Sequence, residues 1–279
     1  AYEIEAVTGV QTVLFRSLAT AGLVNEQALE QMRIGYVERH HQWLEDQARP
    51  LRKLGLTVTT EVAWVESPLQ ELLIRLKEEP MALVIKALEH ESLLSRLIFT
   101  PLDVHLIREC PVPLHFVSGA QHALPRKIVA AVDPFHHDEH YDSLNDRILH
   151  EAVKLATACD AEVEVIYAHD LSDLGAQEYG FGSGAGFFSS VAAKRLFDEQ
   201  GKAFNDLAAR NGIPPAQRHM ILGNPAKVLS SYADAYNVDV IVMGRVGHRG
   251  LSRLLGSTAE TLLYKMPCSV WMVKPEVLD

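Results

Sequence analysis

The residues with the clearest chemical purpose lie near the C-terminus, in Asp239-Val-Ile-Val-Met-Gly244-Arg-Val-Gly247-His-Arg-Gly250-Leu-Ser-Arg-Leu-Leu-Gly256-Ser257-Thr258-Ala-Glu260. An apolar run, Val240 to Met243, empties into a glycine-bearing loop, and a helical pattern follows from Ser257. Glycine has no Cβ and tolerates positive φ, so backbone N–H groups in such a loop can close around a ligand oxygen. A helix N-terminus adds free N–H groups and a positive dipole end, which suits phosphate. Ser257 or Thr258 can cap that helix and donate a hydroxyl to an anion. The spacing predicts a phosphate cradle; the competing reading is a glycine-rich turn that holds nothing. No Gly-Lys-Ser/Thr triplet follows, so this is not a Walker loop. The glycine spacing also differs from a Rossmann fingerprint.

Other groups carry weaker signals. His136-His137-Asp138-Glu139-His140 has the donor types of a zinc site, but adjacent residues rarely converge on one ion, and a solvated loop is the expectation. His40-His41 with Glu45 on a helix is a weaker metal candidate still, although His41 and Glu45 are i, i+4 neighbours. Gly175, Gly180, Gly182, Gly184 and Gly186 fall between residues 171 and 190, where no strand leads in, so they predict a connecting loop. The three cysteines, Cys110, Cys159 and Cys268, are scattered and predict free thiols in a reducing cytoplasm. No Ser-His-Asp, Cys-His or paired-carboxylate arrangement stands at a recognisable spacing.

The elements that must hold the cradle follow from pattern. At 279 residues the chain is long for one core, and two domains are the natural division. Hydrophobic residues make up 48% and charged residues 22%, as in a globular protein, and no apolar run has the length of a bilayer span. A net charge of −10 disfavours nucleic acid and anionic membrane surfaces as partners. Strands are predicted at 2–10, 56–65, 82–85 and 113–117, then at 127–132, 162–168, 216–222, 240–243 and 269–273. Helices are predicted over 24–53, from Ser67-Pro68 onward, and over 101–109, 145–159 and 191–209. Residues 118–125 form a polar, turn-rich link. Strands alternating with helices imply βαβ units and a parallel sheet.

The chain repeats itself. At one constant offset Trp64-Val-Glu-Ser-Pro68 falls on Ile221-Leu-Gly-Asn-Pro225, and Leu83-Val-Ile85 on Val240-Ile-Val242. The first copy begins at the equivalent of the second copy's second strand, so either the sequence is truncated or this copy is degenerate, and truncation is the expectation. In the same register Gly244, Gly247 and Gly256 become Ala87, His90 and Phe99, and the first copy has lost the cradle.

Gly244-x2-Gly247 and Gly256-Ser257 resemble the nucleotide motif of the universal stress protein family, Gly-x2-Gly-x9-Gly-Ser/Thr, with one residue fewer between Gly247 and Gly256. Ile98-Phe-Thr-Pro-Leu-Asp103-Val-His105-Leu-Ile-Arg-Glu-Cys110-Pro111 resembles the first-domain signature of the family's E-type. The chain is identified as a tandem member of that family. The resemblance implies two α/β domains, 1–120 and 125–279, each a doubly wound five-stranded parallel sheet with helices on both faces. It implies ATP in the second domain, with Val132, Asp133, Ala168 and His169 at the adenine and ribose. Gly244, Gly247, Gly256, Ser257 and Thr258 would hold the phosphates, and Mg2+ would come with the nucleotide. The rival role for Asp133 is to cap a turn before Pro134. Arg245 and Arg249 are either γ-phosphate ligands or solvated loop residues.

Three functions follow from the resemblance. The first is a cytoplasmic stress-response protein that binds ATP and is at most a slow ATPase. The second is a sensing or protein-interaction module whose first domain takes an apolar small molecule such as a lipid. The third, an ATP pyrophosphatase, fits poorly, because Asp133-Pro-Phe-His-His stands where that class has a Ser-Gly-Gly-x-Asp-Ser loop. The apolar last strands, 114–117 and 269–273, often meet across a domain pair in this family, inside one chain or in a homo-oligomer.

Overall fold

The computed structural model describes residues 3–11, 25–65, 67–87, 102–118, 122–134, 140–169, 191–245 and 266–274. The chain divides into two compact units, Ala1–Glu79 and Pro80–Asp279.

In the first unit, β1 (Glu3–Gln11) and β2 (Thr57–Val65) pair in parallel, joined through α1 (Glu26–Lys53). Asn25 caps α1 by accepting from the Ala28 amide at 2.8 Å. Gly55, at φ +85°, turns the chain after the helix, the conformation expected just beyond a helix C-terminus. Ser67 accepts from the Gln70 amide and Pro68 opens α2 (Pro68–Glu78), as the Ser-Pro pair predicts.

The second unit is organised by a seven-stranded sheet in the order β3-β4-β9-β8-β5-β6-β7. Its strands are β3 (Val84–Ala87), β4 (Leu114–Val117), β5 (Lys127–Ala131), β6 (Glu162–His169), β7 (Arg218–Leu222), β8 (Val240–Gly244) and β9 (Ser269–Val273). The five from β5 to β9 are mutually parallel, and β3 is parallel to β4. Among the described strands only β4 and β9 run antiparallel, Leu114 opposite Met272 and Phe116 opposite Val270. The helices are α3 (Leu102–Glu109), α4 (His140–Cys159), α5 (Val191–Arg210) and α6 (Pro225–Ala235).

β9-β8-β5-β6-β7 make the five-stranded parallel sheet expected of the second domain. β3 and β4, which the repeat assigns to the first copy, extend the sheet of the second, while β1 and β2 pair only with each other among the described residues.

One face of the sheet packs on α4 and α5. Ile128, Ala130, Val165, Tyr167, Val240, Val242 and Val273 meet Leu144, Ile148, Phe204 and Leu207 there. Fully burying each large side chain stabilises by roughly 1.5–3 kcal/mol. On β6, Glu164 alternates away from that core: it receives the Tyr232 hydroxyl at 2.8 Å and Lys127 Nζ at 3.2 Å. Burial and the Glu164 carboxylate push the Tyr232 phenol well above its ordinary value. A charge so enclosed is stable only when its oxygens are occupied.

Candidate functional site

Three strand ends converge at the carboxyl edge of the sheet: β5, β6 and β8. β5 lies between β8 and β6, so successive connections leave it in opposite directions. In open parallel sheets a crevice forms at such a switch in strand order.

β5 ends at Ala131, and Val132 continues in register by donating its amide to the Ile166 carbonyl at 3.0 Å. Asp133 is then gripped through its backbone. Its amide donates to Asn145 Oδ1 at 3.0 Å, and Asn145 Nδ2 donates to its carbonyl at 2.8 Å. Asn145 comes from α4 and is only 4% exposed, whereas Asp133 is exposed. The amide thus satisfies the chain where the ladder stops. Asn145 was missed at the sequence level. Its signal was there: a polar residue on the α4 stripe that carries Leu144, Ile148 and Leu149.

At the end of β6, Ala168 is partly buried and His169 is 1% exposed. The imidazole lies edge-on to Phe197 at 5.6 Å between ring centroids and to Tyr167 at 5.8 Å. Burial, then the Asp133 charge, push the Tyr167 phenol well above its ordinary value, so this hydroxyl keeps its proton. The His169 carbonyl accepts from Gly223, whose φ of +144° suits glycine. Phe197 remains 48% exposed, an apolar edge beside the crevice.

β8 ends at Gly244. A Cβ there would stand 2.8 Å from Leu144 Cδ2 and 3.2 Å from Ile148 Cδ1. This glycine therefore admits the crossing helix α4, a packing role that sequence spacing alone did not distinguish from phosphate contact. Leu144 and Asn145, consecutive on α4, thus touch the ends of β8 and β5 respectively.

Arg245 corrects the sequence reading. It is neither a solvated loop residue nor a group at the crevice: it is 6% exposed and donates to the Leu106 carbonyl at 3.3 Å and the Cys110 carbonyl at 2.6 Å. Gly247, Arg249, Gly256, Ser257 and Thr258 lie outside the described residues, as do His136 to Glu139 and the glycine-rich stretch 171–190. Among the described residues no cluster of three or more His, Cys, Asp or Glu could hold a metal. Glu45 is engaged by Arg52, at 2.7 and 3.1 Å, and by Thr60. The three cysteines are free, as expected.

The strand order and its parallel core define a doubly wound α/β protein. The model of the universal stress protein family matches residues 125–274. The chain belongs to the universal stress protein family. It is 26% identical over 248 residues to universal stress protein E of Escherichia coli K12, covering 88% of this chain and 77% of that protein. It is 24% identical over 280 residues to the universal stress protein E homolog of Haemophilus influenzae, covering 98% and 88% of the two chains. A solved Pseudomonas aeruginosa UCBPP-PA14 structure bearing the family name superposes with a TM-score of 0.70 at 26% identity, over 98% of this chain and 93% of its own. A universal stress protein from Archaeoglobus fulgidus, at 16% identity and a TM-score of 0.63, shares the fold.

Proposed function

We propose that this protein acts in the stress response for which its family is named, by binding ATP in its second domain, residues 125–279, and holding it with slow turnover. The adenosine lies across the ends of β5 and β6, against Val132, Asp133, Ala168 and His169. The phosphates lie on the loop leaving β8, at Gly244, Gly247, Gly256, Ser257 and Thr258, with Mg2+ carried in by the nucleotide.

One observation carries this reading. A buried amide, Asn145, holds the backbone of Asp133, an exposed residue, at the switch in strand order. A carboxylate accepts two hydroxyl hydrogen bonds, the pattern that a ribose offers. The apolar edge of Phe197 beside it suits a base. The first domain, residues 1–120, carries Ala87, His90 and Phe99 in place of the glycines, and binds no nucleotide in this reading.

The test is titration of the purified full chain with MgATP by calorimetry, beside Asp133→Ala and Gly247→Val. One site per chain is expected, lost in Gly247→Val because valine fills the space needed by phosphate. Full affinity in both variants would overturn the assignment.

A further inference from the structure

Arg245 is the first residue after β8 and stands two positions before Gly247. Its amide donates to the Val273 carbonyl at 2.7 Å, so its backbone is pinned to β9. Its guanidinium is buried against the end of α3, on the carbonyls of Leu106 and Cys110. The Leu106 carbonyl already accepts from the Cys110 amide at 3.0 Å, so Arg245 is its second donor, whereas the Cys110 carbonyl lies just beyond the helix. The last turn of a helix also carries the negative end of the dipole, which a guanidinium offsets. Burial pulls the Arg245 pKa down from its ordinary value, yet a guanidinium stays charged in proteins.

α3 belongs to the first copy of the repeat, and Arg245 to the second. The repeat register puts Leu88 at the place equivalent to Arg245, so this anchoring runs one way. We infer that Arg245 is a positioning residue: through it the glycine-poor first copy fixes the root of the phosphate loop in the second copy, and thereby governs nucleotide affinity. The first copy then contributes to a site that it does not itself form. This inference rests on the nucleotide reading above.

Coupling of this kind is reciprocal: if α3 supports nucleotide binding, bound nucleotide must stabilise the end of α3. Cys110, 1% exposed at that end, is the reporter. The experiment uses the full chain as wild type, Arg245→Met, Arg245→Lys and Val104→Ala. Val104 is buried in α3, so its truncation weakens the helix while sparing the carbonyl contacts. Two quantities are read: the Kd for MgATP, and the alkylation rate of Cys110 with and without MgATP, followed by mass spectrometry.

Losing hydrogen bonds from a charged donor predicts about a tenfold weaker Kd in Arg245→Met. Arg245→Lys recovers most of it, and Val104→Ala lowers the thermal midpoint with Kd unchanged. MgATP slows Cys110 alkylation in wild type and not in Arg245→Met. An unchanged Kd in Arg245→Met overturns the inference alone. So does an equal loss in Val104→Ala, which would mark a general stability effect. No binding by wild type overturns the nucleotide reading and the inference with it. If Arg245→Met does not fold, wild-type Cys110 decides: no protection by MgATP overturns the coupling.

Discussion

Leu144 Cδ2 lies 2.8 Å from the place that a Cβ on Gly244 would occupy. The helix that follows β5 therefore crosses the end of β8 at a distance only glycine permits. The next residue of that helix, Asn145, closes two hydrogen bonds on Asp133. One turn of α4 thus touches the ends of two neighbouring strands, β8 and β5.

Gly244→Ala forces Leu144 and Ile148 to shift, and overpacking of this kind destabilises by about 1–3 kcal/mol. Chemical denaturation measures it. The double variant Gly244→Ala with Leu144→Ala should relieve the clash, so its loss will be smaller than the sum of the single losses. Strict additivity would show that the two residues do not press on one another.

Asn145→Ala leaves the Asp133 amide and carbonyl without their partner. Stability should fall by about 1–3 kcal/mol. ATP affinity should fall as well, because Asp133 is no longer held. Asn145→Asp should not restore it: a carboxylate accepts from the amide but cannot donate to the carbonyl. Equal affinity in the wild type and Asn145→Ala would separate the clamp from the site.

Burial, with the charge of Asp239 next, pushes the Cys268 thiol up to about 12 from an ordinary 9.0. The sign follows directly. Between those values the unfolded chain gives up a proton that the folded chain keeps, so stability is whole below pH 9 and declines as pH rises toward 12. Cys268→Ala should flatten the decline by up to about 1.4 kcal/mol per pH unit. Unfolding midpoints from pH 8 to 11 check this. Burial also raises the Cys110 thiol, so Cys159, partly exposed, should be alkylated first at pH 8.

Hydrolysis should be slow. Backbone amides and hydroxyls hold phosphate alike in ground and transition states, and uniform binding does not accelerate chemistry. Arg245, which could have stabilised charge on a γ-phosphate, is committed to the carbonyls of Leu106 and Cys110. Single-turnover assays with labelled MgATP should give a rate far below a typical kcat of about 10 s⁻¹. A rate near that value would require a general base at the γ-phosphate.

Local pattern alone determined much of this protein. The Ser67-Pro68 start of α2, the glycine turn at Gly55, the apolar run of β8 and the alternation of strand and helix are set by neighbours within a few residues, whose side chains and φ preferences act on the same turn. The carboxylate after β5 and the glycine after β8 were legible for the same reason: they close elements whose ends the pattern marks. Asn145, Gly244 and Arg245 took their meaning from partners that pattern does not reveal. Asn145 meets a residue on the preceding strand end, Gly244 meets a helix laid across it, and Arg245 meets α3, more than a hundred residues earlier in the chain. The sheet itself followed the same division. Each strand was readable from its own residues, and the family resemblance implied that β4 and β9 meet; their antiparallel sense and register, Leu114 opposite Met272, were decided in three dimensions, because backbone pairing satisfies any strand that arrives in register.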